Sequence, residues 1–325
     1  MMARAYPVEE EGRGMDQALV QVASRLTNSR VLFREPMSRH TSFKIGGPCD
    51  LLVLPKTSGD AVLAWTLCKD AGLSCHVIGN GTNLLVKDGG YRGCLIKVAP
   101  GSSGVRRTGE RSLEVLSGTL LPRLVQSAFE EGLSGLEWAV GIPGSVGGAV
   151  VMNAGAYGGD FGSVVRRIKV ARPGGETEWI AAQDAGFSYR RSCFSDRDDL
   201  LVVSAELELV PGDKAKIYDV MMHRALEREE KQPLDVPSAG SAFRRPPGHY
   251  VGAMIEALGL KGKTVGGAQV SPKHAGFIVN TGNATAKDVL ELMALIQTAV
   301  KEAFQVDLEP EIVVIGEDRD GDPAA

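Results

Sequence analysis

The stretch from Gly132 to Gly162 constrains this chain more than any other part of it. It reads GLSGLEWAVGIPGSVGGAVVMNAGAYGGDFG, with ten glycines and only two charged residues, Glu137 and Asp160. Glycine loses more backbone freedom on folding than any other residue, so this density needs a structural reason. A flexible linker would be filled with Ser, Pro and charge. Here the glycines alternate with Val, Ile, Met, Trp and Ala, which favour burial. A buried glycine-rich backbone presents bare N–H groups, natural partners for a bound phosphate or cofactor. A tight corner between strands and helices is the alternative.

At 325 residues the chain has room for two or three domains. Its 43% hydrophobic and 23% charged content is that of a soluble globular protein, and a net charge of −4 gives no field for nucleic acid. No apolar run approaches the roughly 20 residues that span a bilayer. The start, MMARAYPVEEEGRGMD, lacks the apolar core of a signal peptide, so a cytoplasmic protein without membrane insertion is expected. The five cysteines, Cys49, Cys68, Cys75, Cys94 and Cys193, are odd in number and form no CxxC pair. They read as reduced thiols filling a core. The histidines show no metal-ligand spacing, and no metal is expected.

Strands are expected at 51–55, 75–79, 94–98, 113–116, 167–171, 201–209 and 312–315. Helices are expected from Asp60 to Ala71, from Leu121 to a stop at Gly132, from Lys214 to Lys231, and over 251–258 and 286–304. Thr285 with Asp288 resembles a capping box. The first residues read as a loose extension and the acidic tail from Glu317 as frayed. Strands and helices mix without a βαβ rhythm, so an α+β fold is favoured over a doubly wound one.

Five segments can carry chemistry. GNGTNLLVKDGG, Gly79 to Gly90, follows a strand and offers Gly79, Asn80, Gly81, Thr82, Asn83 and Leu84 in a turn suited to a pyrophosphate. It is neither GxGxxG nor a Walker loop, and a plain Asn/Gly turn reads equally well. GIPGSVGG, Gly141 to Gly148, is a second close-approach loop, and two such loops suit a long ligand such as FAD. In NAGAYGG, Tyr157 is either a ligand contact or a surface tyrosine. FSYRRSCF sets Arg190 and Arg191 among aromatics, as a fork for carboxylate or phosphate or as a salt bridge. In PSAGSAFRRPPGHY, Ser241 is a proton donor or part of a capped turn. In LEPEIVVIG, Glu311 is an acid or a paired structural charge.

Taken in order, these motifs resemble the UDP-N-acetylenolpyruvoylglucosamine reductase (MurB) family. The resemblance runs through RHTSFKIGGP at 39–48, GNGTNLLVKDGGYRG at 79–93 and GLEWAVGIPGSVGGAVVMNAGAYGG at 135–159. It continues through FSYRRSCF at 187–194, REEKQP at 228–233, GSAF with RPPGHY at 240–250, SPKHAGFIVN at 271–280 and LEPEIVVIG at 308–316. It covers roughly residues 37–316. AYGG and RPPGH are similar to the shorter, second-type branch, without the extra substrate-capping loop of the first type.

The resemblance implies a two-subdomain FAD-binding fold of the vanillyl-alcohol-oxidase (PCMH) type, followed by a C-terminal α+β substrate-binding domain. The implied parts are a flexible extension over 1–30, FAD-binding subdomains over 31–100 and 101–212, and a substrate domain over 213–325. The last strand would return to subdomain 1. It implies noncovalent FAD held by Gly79, Asn80, Gly81, Thr82, Asn83, Leu84, Gly141, Ile142, Gly144, Ser145, Val146, Gly148 and Asn153. NADPH would be the hydride donor and a UDP-sugar the substrate. Hydride would reach C3 of the enolpyruvyl group, Ser241 would protonate C2, and Arg190 and Glu311 would stabilise the enolate-like charge. Tyr157, Lys231, Arg245, His249 and His274 would contact the substrate. Two rival readings are another FAD-linked oxidase of the same fold and a non-catalytic nucleotide-sugar binding protein.

Overall fold

The structure, a computed structural model, describes residues 17–319. Three sheets carry most of the strands. In the first, the order is β1-β2-β5-β3, with β1 Arg30–Pro36 antiparallel to β2 Pro48–Leu54. β5 Tyr91–Lys97 runs parallel to both β2 and β3 Cys75–Ile78. Helix α2, Ser58–Asp70, makes the crossover from β2 to β3 and starts at a capping box in which Thr57 and Asp60 satisfy each other's backbone N–H groups. Leu51, Leu52 and Val53 are all fully buried, as expected of a strand covered on both faces. Leu51 and Val53 meet α2, whereas Leu52 meets Met37 and β4 Leu84–Val86.

The second sheet is antiparallel, in the order β12-β11-β13-β7-β6. Its strands are β6 Val105–Arg107, β7 Ser112–Leu116, β11 Val165–Ala171, β12 Thr177–Ala181 and β13 Leu201–Glu208. One face buries Leu113, Val115, Ile168, Ala205 and Leu207 beneath α3 Leu121–Glu130 and α4 Val146–Met152. The other is solvated and carries a charge ladder. Arg106 faces Glu114, Glu114 faces Glu206, and Glu206 faces Arg167, all in register. The two like charges at its centre are tolerated because each has a flanking arginine. Two-residue strands complete this region. β8 Leu133–Ser134 pairs with β14 Val210–Pro211, and β9 Gly155–Ala156 with β10 Gly159–Asp160. Ala171, Leu201 and Val203 pack into the α2 core, joining the two sheets.

The third sheet, β15-β18-β17-β16, follows the charged helix α5, Lys214–Lys231, in which Ile217 is the one buried residue. It comprises β15 Ser238–Ser241, β16 Thr264–Val265, β17 Ala268–Val270 and β18 Phe277–Asn280, covered by α6 Val251–Ala257 and α7 Ala286–Phe304. β19, Val313–Ile315, then pairs in parallel with β4. Thr285 and Asp288 do form a capping box on α7. Asp88, far away in sequence, adds a second cap by accepting from the N–H groups of Ala286 and Lys287, both at 3.0 Å.

Two expectations at the ends need correction. A flexible extension through residue 30 does not hold from residue 17 onward, since Gln17–Arg25 forms α1. Leu19, Val22 and Leu26 bury one side of it against the α2 core. Residues 1–16 lie outside the described residues. The tail does not fray at Glu317. Its backbone exchanges hydrogen bonds with Gly89 and Gly90, and Asp318 pairs with Lys87 at 2.8 Å. Residues 320–325 lie outside the described residues. No described helix is long and apolar enough to cross a membrane.

Candidate active site

β3 ends at Ile78, and Gly79–Asn83 turn the chain into β4. Gly81 has φ +72°, and a Cβ there would sit 2.4 Å from the His40 carbonyl oxygen. A Cβ on Gly79 would sit 2.2 Å from Ser145 Oγ. Gly81 is therefore required by close approach, whereas a side chain at Gly79 would force the Ser145 hydroxyl to turn away. The second loop lies directly against this turn. Asn80 Nδ2 donates to the Pro143 carbonyl at 2.8 Å, and Gly144 faces the Thr82 hydroxyl. Among the described residues, the backbone N–H groups of Asn80, Gly81, Thr82 and Asn83 meet no protein acceptor. Successive free donors in a partly buried turn form an anion-binding nest, so these residues fit the pyrophosphate of a dinucleotide.

The second loop contributes differently. The N–H groups of Val146 and Gly147 are bound by the carbonyls of Thr119 and Ser117, at 2.9 and 2.7 Å. Ile142 N–H goes to Ala139 O, and the Gly144 carbonyl accepts from Leu121. Ser145 caps α4 by accepting from Gly148 N–H. This loop thus brings its backbone close without offering those donors. Leu84 is buried in the core beside Met37. Asn153 is engaged at both ends of its amide, donating to Ser188 O at 2.9 Å and accepting from Gly162 N–H at 2.8 Å. It braces the glycine-rich segment, and its φ of 41° ends α4.

The three candidate catalytic residues converge from distant parts of the chain. Arg190 sits at φ +56° in a tight turn closed by Ser188 and Arg191. Its Nε donates to Glu311 Oε1 at 2.6 Å and its Nη2 to the Gly155 carbonyl at 2.9 Å. Glu311 is clamped by its own backbone. Its N–H donates to Ala242 O at 2.9 Å, and its carbonyl accepts from Asn83 Nδ2 at 3.0 Å. It therefore joins the residue after Ser241 to the nest turn. Ser241 ends β15 opposite Phe277, and its hydroxyl has no protein partner among the described residues. Burial pushes the Glu311 carboxyl above the ordinary carboxylate range. Arg190 and then Arg244 pull it back, but burial is the larger effect. Glu311 can thus hold a proton beside a cation.

Tyr157 and Gly158, with φ of 53° and 84°, form the two-residue turn between β9 and β10. Positive φ at both positions is what a type I′ hairpin turn needs. The Arg224 guanidinium stacks on the Tyr157 ring at 4.4 Å, and Arg228 interacts electrostatically with the same tyrosine. Arg228 also presses on Gly141, and its Nε is buried without a partner among the described residues. It lines a cleft of about 500 Å³ with Gly141, Glu229 and Lys273. Sequence reasoning singled out neither arginine. The signal available was REEKQP, whose first residue is Arg228.

The remaining expected contacts are more dispersed. Lys231 pairs with Glu227 at 2.8 Å at the end of α5 and is well exposed. Arg245 lies over Tyr250 at 3.8 Å and donates to the His249 carbonyl, while Arg245 N–H donates to the Tyr189 hydroxyl. His249 is exposed in the same loop. His274 accepts from Gly276 N–H through Nδ1 and packs edge-on against Phe277 at 4.9 Å. Burial lowers its pKa, so the neutral ring serves the β17–β18 turn. Arg191 pairs with Asp196, away from Glu311.

Comparison with known proteins matches the sequence and the fold. Residues 49–181 match the model of an FAD binding domain. Residues 232–315 match the C-terminal domain of UDP-N-acetylenolpyruvoylglucosamine reductase. The chain is 46% identical over 293 residues to the protein of that name from Syntrophomonas wolfei, covering 90% of this chain and 97% of that one. It is 43% identical over 305 residues to a protein of the same name from Clostridium botulinum (strain 657), covering 92% and 97%. The crystal structure of the reductase (MurB) from Thermus caldophilus superposes with a TM-score of 0.76 at 36% identity, covering 88% of this chain and 99% of that one.

Proposed function

The chain belongs to the UDP-N-acetylenolpyruvoylglucosamine reductase family, and on that premise we propose that it makes UDP-N-acetylmuramate for peptidoglycan synthesis. The substrate is UDP-N-acetyl-3-O-(1-carboxyvinyl)-glucosamine and NADPH the reductant, in a bacterial cytoplasm. FAD, held by the loops at 79–84 and 141–148, would supply the hydride chemistry that links NADPH to C3 of the enolpyruvyl group. The protein's task is to make an electron-rich vinyl ether accept that hydride. Arg190 keeps guanidinium donors beyond the two that hold Glu311 and Gly155, and these bind the substrate carboxylate. Negative charge spreading into the carboxylate as C2 gains electrons is met by a fixed cation rather than by water that must reorganise. Glu311, protonated, donates a hydrogen bond to the same charge. Ser241 delivers the proton to C2. Its hydroxyl is a weak acid, but the carbon base is strong.

The nest of Asn80 to Asn83 holds the cofactor pyrophosphate, with Gly79, Gly141 and Gly144 leaving room for it. Tyr157, Arg224, Arg228 and Lys231 form the cationic side toward the substrate diphosphate, and Arg245 and His249 line the outer loop. The observation that carries this reading is the Arg190–Glu311 contact at 2.6 Å, braced to Gly155, the nest turn and the residue after Ser241. Two simple assays test it. Acid precipitation should leave all yellow colour in the supernatant, since no residue here is set to bond flavin covalently. NADPH oxidation should depend on the enolpyruvyl substrate, and equal oxidation with oxygen alone would favour an oxidase.

A further inference from the structure

We propose that Cys68, Cys75 and Cys94 form a site for one soft monovalent metal ion of the Cu(I) class, separate from the reaction centre. The three residues belong to three elements. Cys68 lies near the end of α2, Cys75 opens β3, and Cys94 lies in β5. Cys75 and Cys94 are register partners across the parallel strands, and α2 packs over both. All three sulfurs lie within 4.8 Å of one another. An ion about 2.3 Å from each sulfur, an ordinary metal–thiolate length, would hold the sulfurs about 4 Å apart in a trigonal plane. The cluster therefore reaches binding geometry with side-chain adjustment alone.

The donor set selects the ion. Thiolates favour Cu(I), zinc and iron–sulfur clusters. Structural zinc and iron–sulfur sites call for four protein ligands. Among the described residues no imidazole or carboxylate joins the three sulfurs. Three sulfurs alone suit Cu(I), which is satisfied by three ligands. Binding releases thiol protons to solvent; the ion's single positive charge offsets one thiolate charge, and Lys69, the cation acting on Cys75, offsets part of what remains. Cys68 and Cys94 are fully buried, whereas Cys75 is only partly buried and gives the ion a way in. Cys49 and Cys193 lie in other clusters. The site stands at the opposite end of β3 from the nest turn, so the reduction does not need it. Linear spacing gave no hint of it because three separate elements supply the ligands.

The test titrates reduced, flavin-loaded protein anaerobically with Cu(I) against a chromophoric Cu(I) chelator. One equivalent per chain should be retained, with thiolate-to-copper absorption in the near ultraviolet. Cys75→Ser should weaken retention at least about 100-fold, more than loss of an outer-shell partner would. Cys193→Ser should leave retention unchanged. Cys75→Ser is chosen because Cys75 is the least buried of the three, and unchanged flavin content and turnover establish that it folds. Failure to retain copper, equal retention by Cys75→Ser and Cys193→Ser, or displacement of Cu(I) by equimolar Zn(II) would each overturn the assignment.

Discussion

In the proposed reaction Arg190 and Glu311 divide one task, and their substitutions should separate its parts. Arg190→Lys keeps the charge but cannot reach Glu311, Gly155 and a substrate carboxylate together. Turnover should fall by about 10² or more, the loss typical of one preorganised donor, with thermal melting nearly unchanged. An unaltered turnover number at saturating substrate would make Arg190 structural. Glu311→Gln retains a donor and should be milder than Glu311→Ala, which leaves the site unsupported. The pH profile gives the sign independently. Glu311 is useful when protonated, and burial raises its pKa, so the substrate-reducing step should weaken as pH rises through that raised value. The fold should lose stability in the same direction, because the native state holds this proton more tightly than the unfolded chain. Glu311→Gln should abolish both dependences, and a retained alkaline limb would assign it to another group. At this scale the sequence left each residue with two readings. A strand-leading glutamate and a turn serine are ordinary by themselves, and only motif order or the folded geometry brings them together.

The elements were more legible because their signals are local. Apolar spacing located α2, α3, α5, α6 and α7, and Thr285 with Asp288 marked the start of α7. α1 was missed because its nine residues carry only a short apolar stripe, and β1 because Arg30, Arg34 and Glu35 break its pattern at a sheet edge. The Asp88 cap was invisible because its partners lie 198 and 199 residues away in sequence. Asp88→Ala should cost about 0.5–2 kcal/mol in chemical denaturation, as for other lost caps, and no change would mean Thr285 and Asp288 suffice. Gly81→Ala strikes the nest turn. Left-handed backbone costs a side chain about 1–2 kcal/mol, and the new Cβ meets the His40 carbonyl. The variant should purify with substantially less flavin. Full wild-type flavin content would show that the turn does not shape the cofactor site.

Across the whole molecule, the glycine-rich segment does two jobs that composition could not separate. Its first part packs against the nest turn through Gly79, Ser145 and Pro143, while its later part supplies the Gly155 carbonyl that steadies Arg190. The carboxylate beside that arginine comes from just before β19, the strand that returns to β4 next to the same turn. In the proposed reaction the cofactor turn and the proton donor thus rest on different parts of the fold. That division predicts two half-reactions with different sensitivities. Stopped-flow absorbance of the flavin band under anaerobic conditions, in wild type and Ser241→Ala, measures both. With NADPH alone the variant should bleach at close to the wild-type rate, since no proton is needed at substrate C2. With substrate added next, recovery of the band should slow at least ~10²-fold, the lower end for loss of a general acid. If recovery in the alanine variant keeps pace with wild type, Ser241 is not the proton donor, and the assignment of the three converging residues is contradicted.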